Sequence, residues 1–454
     1  MSLTIVLIAL SKTDIVGMTN NYIYDRLLTL NEREADSRIV IVGIDDSSLE
    51  MLGIWPWSRQ THADFLQQLK KYKPKAVLFD VLTLEPSTNP MDDQHLGEAM
   101  GQFDRIAAPV SLFSYAGEPI GVTMPIGSVA RNASLGQIVQ TPDSDGVVRQ
   151  TALNIKDKNG TSWPLLTSLL IDKANRDESN ALFRIPFNVP KGRYVTLPYW
   201  SVLNHQVPEG FLQDKYVLIG ATAQGLGDQR VTPVSGEKGT VAGIEIHANI
   251  LDTLLNDLKI KNLEQPLLKQ LNVVMPLIAL MLFFLWAGER FYLFTFIASL
   301  ALYISFVTYM LWVQKLWLPP MSGVIGLSLA YLVWSWRRSI VVLAYVDNGL
   351  KNAQNHLGDL PQFFSTPERS HFLPRSLEQG MSQINQLYQF TGDSLRHLPT
   401  SLVVASTDGT ILMSNQMALD LFQIDEIYLN DLLERIDSGL DLSQFVGHYC
   451  KDLN

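Results

Sequence analysis

Cysteine is nearly absent from this sequence, because Cys450 is the only one among 454 residues. A single cysteine excludes an intrachain disulfide and a zinc site built from paired Cys-x-x-Cys motifs. A basic stripe is absent too, since the net charge is −10 and the pI is about 5.3. Nucleic acid, which basic patches bind, is therefore not an expected partner.

Recognisable catalytic motifs are also missing. The sequence has no Gly-Lys-Ser/Thr of a P-loop, no His-Glu-x-x-His, no Gly-x-Ser-x-Gly, and neither the histidine box nor the ATP-binding glycine boxes of a histidine kinase. The glycine-rich run from Gly220 to Gly227 follows a strand but matches neither a P-loop nor a dinucleotide fingerprint. We therefore assign no catalytic residue, cofactor or metal ligand, and leave open whether a longer parent chain is an enzyme.

Long hydrophobic runs are present, and they lie between Leu271 and Trp336 in a chain whose mean hydropathy is +0.09. A bilayer-spanning helix needs roughly 17–25 apolar residues. Three charge-free runs meet this need: Leu271–Ala287, Phe291–Val313 and Leu316–Trp336. We predict three spans over residues 267–338, with a buried helical bundle as the alternative. Basic residues are balanced between the two sides, so the positive-inside rule does not give the orientation.

The N-terminal run Ser2–Leu10 is apolar but too short to cross a bilayer, and it lacks the basic start of a signal peptide. We interpret residues 1–19 as the remnant of a longer membrane segment, with the true start upstream.

The region between these apolar segments alternates strand and helix patterns. Continuous apolar strands are predicted at Arg38–Asp45, Lys75–Leu82 and Ile106–Leu112, with helices at Ser58–Tyr72 and Asp92–Phe103 between them. This order is typical of a parallel sheet with crossover helices. A later strand is predicted at Tyr216–Gly220, and a helix from Val241 to Leu258 runs towards the first span. Residues 20–266 are therefore predicted to form an α/β domain.

Carboxylates concentrate where the predicted strands end. Asp45 and Asp46 follow the first strand, Asp80 lies late in the second, and Glu85 comes just after it. Ligands of parallel sheets bind outside the carboxyl ends of the strands, so these residues could face one crevice that binds a cation or a polar ligand. Helix capping and loop solvation are the alternative explanation, as for Asp92 at a helix start.

A rigid aromatic corner, Trp55-Pro56-Trp57, precedes Ser58 and Arg59. Trp and Arg dominate binding hot spots, so Trp55, Trp57 and Arg59 are candidates for a ligand wall or a dimer anchor. Core packing of the loop, with Ser58 as a helix cap, is equally consistent. His247 is expected to pack on its helix rather than to bind a metal, because no second histidine lies near it in the sequence.

Taken together, these motifs resemble those of the CHASE type 2 domain, an extracytoplasmic sensory domain of histidine kinases and nucleotide cyclases. The resemblance covers about residues 20–265. The matching runs are Ile44–Leu49, Leu52-Gly53, Trp55–Arg59, Phe79–Val81, Asp92-Asp93, Asp143–Arg149, Leu218–Gly220, Asp228, Thr232-Pro233 and Gly243–Asn249. Asp228, one of these matching positions, joins the candidate ligand-binding residues.

The resemblance implies an orientation and a topology. Domains of this family lie outside the cytoplasm. They are followed by three membrane spans, which agrees with the hydropathy. Members usually have an N-terminal span as well, which this sequence lacks. The resemblance defines no ligand.

The C-terminal part is predicted to form a helical linker over residues 339–393 and a partial α+β segment over residues 394–454. The segment from Leu402 to Ser414 is predicted to form a hairpin around Asp408-Gly409, followed by a helix from Gln416 to Phe422. This pattern resembles the opening of a PAS domain, of which about half is present. The resemblance implies that an output module lies beyond this chain.

These features predict a multi-pass receptor of the bacterial inner membrane that acts as a homodimer. It would sense a small molecule or an envelope signal and act on a cytoplasmic kinase, cyclase or response regulator, with a sensor histidine kinase as the expected parent protein. A stand-alone membrane scaffold that recruits a cytoplasmic enzyme remains an alternative, as do a regulator of a nucleotide cyclase and a metal-dependent hydrolase that uses the outer carboxylates.

Overall fold

The computed structural model divides the chain into two compact units, residues 1–331 and 332–454. It describes residues 13–115, 118–172, 182–236, 239–263, 265–286, 291–357, 398–405 and 411–422. Of the predicted membrane remnant, residues 1–19, the first twelve lie outside the described residues, and the rest leads into a helix, Asp14–Thr29, that continues past residue 19. Most of the predicted linker and the end of the PAS-like segment also lie outside the described residues.

The first unit is built on a seven-stranded sheet, six strands of which are parallel in the order β11-β1-β12-β2-β3-β5, while β4 pairs antiparallel with β3. The strands are β1 (Ile39–Ile44), β2 (Ala76–Phe79), β3 (Ile106–Tyr115), β4 (Glu118–Thr123), β5 (Ser134–Gln137), β11 (Val195–Pro198) and β12 (Tyr216–Ala221). The predicted parallel sheet is therefore present. Strand β12, late in the sequence, lies between β1 and β2.

Helices cover both faces of this sheet, which explains why β1 and β2 are apolar along their whole length. Side chains alternate along a strand, so Val40 and Val42 join one core cluster and Ile39 and Ile41 join the other. The helices of the α/β domain are α1 (Asp14–Thr29), α2 (Asp46–Leu52), α3 (Arg59–Lys71), α4 (Pro90–Gly101), α5 (Gly127–Asn132), α6 (Tyr199–Leu203) and α7 (Gly243–Leu255).

Two helices begin two residues away from their predicted starts, for local reasons. Helix α4 begins at Pro90 because the side chain of Asn89 caps it and accepts a hydrogen bond from the Met91 N–H. Helix α7 begins at Gly243 because Val241–Ala242 forms a short strand, β14, that pairs with β13 (Gln229–Arg230).

A second sheet lies in the same unit, with the strand order β16-β15-β10-β7-β6. Its strands are β6 (Thr141–Pro142), β7 (Val148–Ala152), β10 (Leu182–Arg184), β15 (Ile260–Asn262) and β16 (Leu316–Trp317). A separate hairpin joins β8 (Asn154–Lys156) to β9 (Ser162–Pro164). The pairs β6–β7, β7–β10 and β10–β15 are antiparallel, whereas β15 and β16 are parallel.

The apolar C-terminal part of this unit forms α8 (Pro266–Trp286), α9 (Tyr292–Trp312) and the start of α10 (Met321–Leu357). Among the described residues one helix, Tyr292–Trp312, is long and apolar enough to cross a membrane, and Leu268–Phe284 is apolar but shorter. The third predicted run, Leu316–Trp336, does not begin as a helix. Its first residues form β16, and Pro319-Pro320 delays the helix to Met321 because proline cannot continue an N–H ladder.

The second unit contains the predicted hairpin, in which β17 (Val403–Ala405) pairs antiparallel with β18 (Ile411–Ser414). Helix α11 (Gln416–Phe422) follows it. Asn415 joins the hairpin to the helix, because its side-chain oxygen accepts hydrogen bonds from the N–H groups of Leu402 at 2.9 Å and Ala418 at 3.0 Å.

Candidate functional site

A crevice of about 870 Å³ opens at the carboxyl ends of the parallel strands β2, β3, β5 and β12. This is where open α/β sheets bind their ligands. The residues that line it and carry polar or aromatic groups are Trp55, Trp57, Ser58, Arg59, Asp80, Glu85, Ser87, Thr88, Ser111, Gln140, Asp228, Arg230 and His247.

One polar part of the crevice lining consists of Asp80, Asp228 and His247, called here the acidic pole. Asp80 follows β2, and its N–H donates to the carbonyl oxygen of Ile219 at 2.8 Å, which fixes the backbone at the end of the strand. Its Oδ2 lies 3.8 Å from the Nε2 of His247, which is on the second turn of α7. The Nδ1 of His247 is buried and has no hydrogen-bond partner among the described residues.

Burial controls the protonation of the acidic pole. It raises the pKa of Asp80 to about 7, and the negative charge of Asp228 adds to this effect. Burial also raises the pKa of Asp228, although the positive charge of Arg230 opposes it. Burial lowers the pKa of His247 to about 4, so its imidazole is neutral at neutral pH.

A glycine at the start of α7 makes room for the acidic pole. The N–H of Gly243 donates to the carbonyl oxygen of Asp228 at 3.0 Å, which holds the segment before β13 against the helix start. A Cβ at position 243 would collide with the carboxyl group of Asp228. The glycine therefore lets a carboxylate approach the helix closely.

Another part of the crevice lining is aromatic and basic. The rings of Trp55 and Trp57 meet edge to face, with centroids 5.2 Å apart, and the Nε1 of Trp57 donates to the carbonyl oxygen of Gly53 at 3.0 Å. Ser58 caps α3 by accepting from the N–H of Thr61. Arg59 follows directly; its Nε lies 4.0 Å from the Oδ1 of Asp93. Packing thus holds the aromatic wall rigid.

The structure brings together six of the eight predicted site residues: Trp55, Trp57, Arg59, Asp80, Glu85 and Asp228 line the crevice. Asp45 and Asp46 do not. Asp45 caps α2 and accepts hydrogen bonds from the Ser48 N–H at 2.9 Å and the Ser47 hydroxyl at 2.8 Å. Asp46 is exposed in the first turn of that helix. The physical reason is the strand order, because β12 separates the end of β1 from the end of β2.

Sequence reasoning missed His247 and Arg230 as crevice residues. His247 is packed on its helix, as expected, with 1% of its surface exposed, but it also faces the crevice. The sequence does not indicate that either residue lies at the crevice, because that depends on the strand order. His247 stands four residues after Gly243, and Arg230 stands two residues after Asp228. Within the described parts of the chain, no group of three or more His, Cys, Asp or Glu side chains is placed to hold a metal ion.

A second polar cluster lies at the second sheet, where Arg149 on β7 meets three carboxylates. Its Nε and Nη2 donate to the two oxygens of Asp25 at 2.8 Å each, and Nη1 donates to Asp143 at 2.9 Å. Asp145 accepts from both Nη atoms, at 2.9 and 2.8 Å. Only 2% of the Arg149 side chain is exposed, so this guanidinium is a buried anchor that ties α1 to the second sheet.

The sequence model of the CHASE2 domain matches residues 2–288, which is more than half of the chain. The match covers the crevice, the Arg149 cluster and both sheets apart from β16. No curated protein and no solved structure gives a significant match.

Proposed function

The chain belongs to the CHASE2 domain family, a family of extracytoplasmic sensory domains, and we propose that it is a membrane receptor that binds its signal in the crevice. The single observation that supports this most strongly is the crevice itself. It combines an aromatic wall with charged groups of both signs, and no hydrogen bond from a described residue contributes to the pKa of Asp80 or Asp228. Concave sites with a few convergent polar groups and perturbed pKa values are the usual binding sites for small molecules.

We propose that the sensor domain is held to the membrane by three spans: α8, α9 and the start of α10. The support comes from β16, because the segment between α9 and α10 pairs with β15 of the second sheet through Lys261–Leu316 and Asn262–Trp317. This segment must lie on the same side of the membrane as the sensor domain. Helix α8 then leaves that side, α9 returns to it, and α10 leaves it again.

Short segments connect the crevice to the second sheet, which gives a route for a signal. Val139 lines the crevice, and its carbonyl oxygen accepts a hydrogen bond from the hydroxyl of Thr151 on β7. Arg230 also lines the crevice, and the carbonyl oxygen of the next residue, Val231, accepts from the N–H of Val148 on β7. Both segments thus contact β7, the strand that carries Arg149.

The cytoplasmic output remains part of the proposal. The hairpin β17–β18 and helix α11 support the PAS-like assignment of residues 394–454, and we expect a homodimer that acts on a kinase, cyclase or response regulator. The alternative is a scaffold that recruits a separate enzyme. Co-purification of the full chain with a cytoplasmic enzyme, with no dependence on crevice substitutions, would favour the scaffold.

The topology is tested by labelling single cysteines in intact cells with a membrane-impermeant maleimide, in a Cys450→Ser background. We expect Gln314→Cys, in the segment between α9 and α10, to be labelled like Ser87→Cys at the crevice. Gly288→Cys, between α8 and α9, should be labelled only after lysis. Labelling of Gly288→Cys in intact cells, or protection of Gln314→Cys there, would reject the three-span arrangement.

A further inference from the structure

We propose that the crevice binds its ligand through a primary ammonium group, placed among the carboxyls of Asp80 and Asp228 and the imidazole of His247. This inference rests on the proposed receptor function and specifies the chemistry of its signal.

The acidic pole offers hydrogen-bond acceptors that lack donors. The pKa of Asp80 and that of Asp228 reflect burial and neighbouring charge, with no hydrogen bond from a described residue. The Nδ1 of His247 is buried and has no partner within the described parts of the chain. Buried polar groups without partners are costly, so a ligand that satisfies them gains binding energy. A primary ammonium has three N–H donors and no acceptor, so the carboxyl oxygens of Asp80 and Asp228 would accept from it.

Charge points to the same chemistry. Asp228 lies close enough to Asp80 for its charge to disfavour the ionised form of Asp80, and a cation bound beside Asp80 would offset this effect. The neutral imidazole of His247 adds an acceptor without adding positive charge. A quaternary ammonium has no N–H to donate. A metal ion would need ligands that, among the described residues, form no suitable group of three.

The remainder of the crevice selects the body of the ligand. The wall formed by Trp55 and Trp57 offers apolar contact area, and the crevice lining also includes two guanidiniums, Arg59 next to this wall and Arg230 beside Asp228. Guanidinium groups bind carboxylates through paired hydrogen bonds. A molecule that carries both an ammonium and a carboxylate would meet groups of both signs in the crevice, and amino acids are the simplest members of this class.

The proposal is tested by calorimetry on the full chain in lipid nanodiscs, with the common free amino acids, their N-acetylated forms, putrescine, glucose and Mg²⁺ as probes. We expect at least one amino acid to bind, and its N-acetylated form, which has no ammonium, to bind at least about tenfold more weakly. Asp80→Asn should weaken binding at least about tenfold, whereas the matched control Asp46→Asn, outside the crevice, should leave the affinity unchanged.

The pH dependence gives a second readout that a purely structural role of Asp80 would not produce. The charged and titratable side chains that line the same crevice as Asp80 are Asp228 and Arg230 near β13, His247 on α7, Glu85 after β2 and Arg59 on α3. Since the pKa of Asp80 is about 7, the carboxyl must lose a proton to bind a cation. Affinity should therefore be about tenfold lower at pH 6 than at pH 8, and Asp80→Asn should flatten this difference.

Two results would overturn the proposal. Binding of glucose or Mg²⁺, but of no amine, would reject the ammonium while leaving a crevice receptor in place. No binding by any probe at ~10 mM would reject the ammonium as well. The cysteine labelling distinguishes both of these results from a failure of the proposed membrane topology.

Discussion

At the scale of single residues, Asp80 combines two properties that are rarely selected for stability alone. It is buried, and it has a negatively charged neighbour, Asp228, in place of a counterion. Such a carboxyl makes the folded state less stable when it is ionised. Its presence at the carboxyl end of a central strand is explained by a role in binding.

Substitution Asp80→Asn tests this cost. The pKa of Asp80 is about 7 in the folded chain and near its ordinary value of 3.8 when unfolded, so the folded state holds the proton more tightly. The stability that the folded state gains from this tighter proton binding is therefore lost as the pH rises from about 4 to 7. Without ligand, we expect the Asp80→Asn variant to be more stable than the wild type by roughly 2–4 kcal/mol at pH 8 and nearly as stable as the wild type at pH 4.

Denaturant unfolding of the full chain in nanodiscs at the two pH values measures this difference, with Asp46→Asn as the control because its carboxylate is exposed. A variant that is less stable than the wild type at pH 8 would show that Asp80 serves the fold rather than binding.

Residue patterns predicted many of the crevice residues, but they did not show which strand-end carboxylates line the crevice. The candidates Asp80 and Glu85 follow the strand β2 and line the crevice, whereas Asp45 follows β1 and caps a helix. Both aspartates end apolar strands, so the sequence does not distinguish them. The difference arises from β12, which is inserted between β1 and β2 from a distance of more than a hundred residues in the sequence.

At the scale of elements, Arg149 determines how α1 is attached to the rest of the domain. Its guanidinium is shared between Asp25 on α1 and two aspartates, Asp143 and Asp145, that lie beside β6 and β7. Three carboxylates surround one buried cation. Removing the cation should therefore be far more damaging than removing one carboxylate.

This ranking is a testable prediction. We expect Arg149→Met to cost about 3–5 kcal/mol of unfolding free energy, because it leaves three carboxylates together without a cation. Asp25→Asn should cost roughly 1–3 kcal/mol, because Arg149 keeps two partners and only one charged pair is lost. Asp64→Asn, exposed on α3, is the control. Denaturant unfolding that places both variants within about 0.5 kcal/mol of the wild type would refute the role of the cluster as an anchor.

Element boundaries show where local patterns were insufficient. The apolar run from Leu316 to Trp336 predicted one span, but its first two residues form β16 because β15 offers an open edge for pairing. The short strands between residues 113 and 215 were not predicted either. They have two to six residues each, so hydrophobic periodicity carries little signal, and β10 and β11 also pair with strands that are distant in the sequence.

At the scale of the whole first unit, the crevice, the second sheet and the membrane-proximal helices are connected in that order. Crevice segments contact β7, β7 pairs with β10, β10 with β15, and β15 with β16 between α9 and α10. Helix α1 joins the same region, because the Nε1 of Trp312 donates to the carbonyl oxygen of Leu27, and the N–H of Met321 donates to the Oδ1 of Asn20. Hydrogen-bonded segments thus connect the crevice continuously with the end of α9 and the start of α10, and a structural change in the crevice can reach these helices through them.

The central claim is that the segment between α9 and α10 belongs to the sensor domain. Amide hydrogen exchange of the full chain in nanodiscs tests it most directly, because exchange reports how often each hydrogen bond opens. We predict that the amides of β16, and the Lys261 N–H that donates to the carbonyl oxygen of Lys315 at 2.8 Å, exchange as slowly as those of β7 and β10. Exchange of β16 at the rate of an unstructured peptide, with β7 and β10 still protected, would contradict the account.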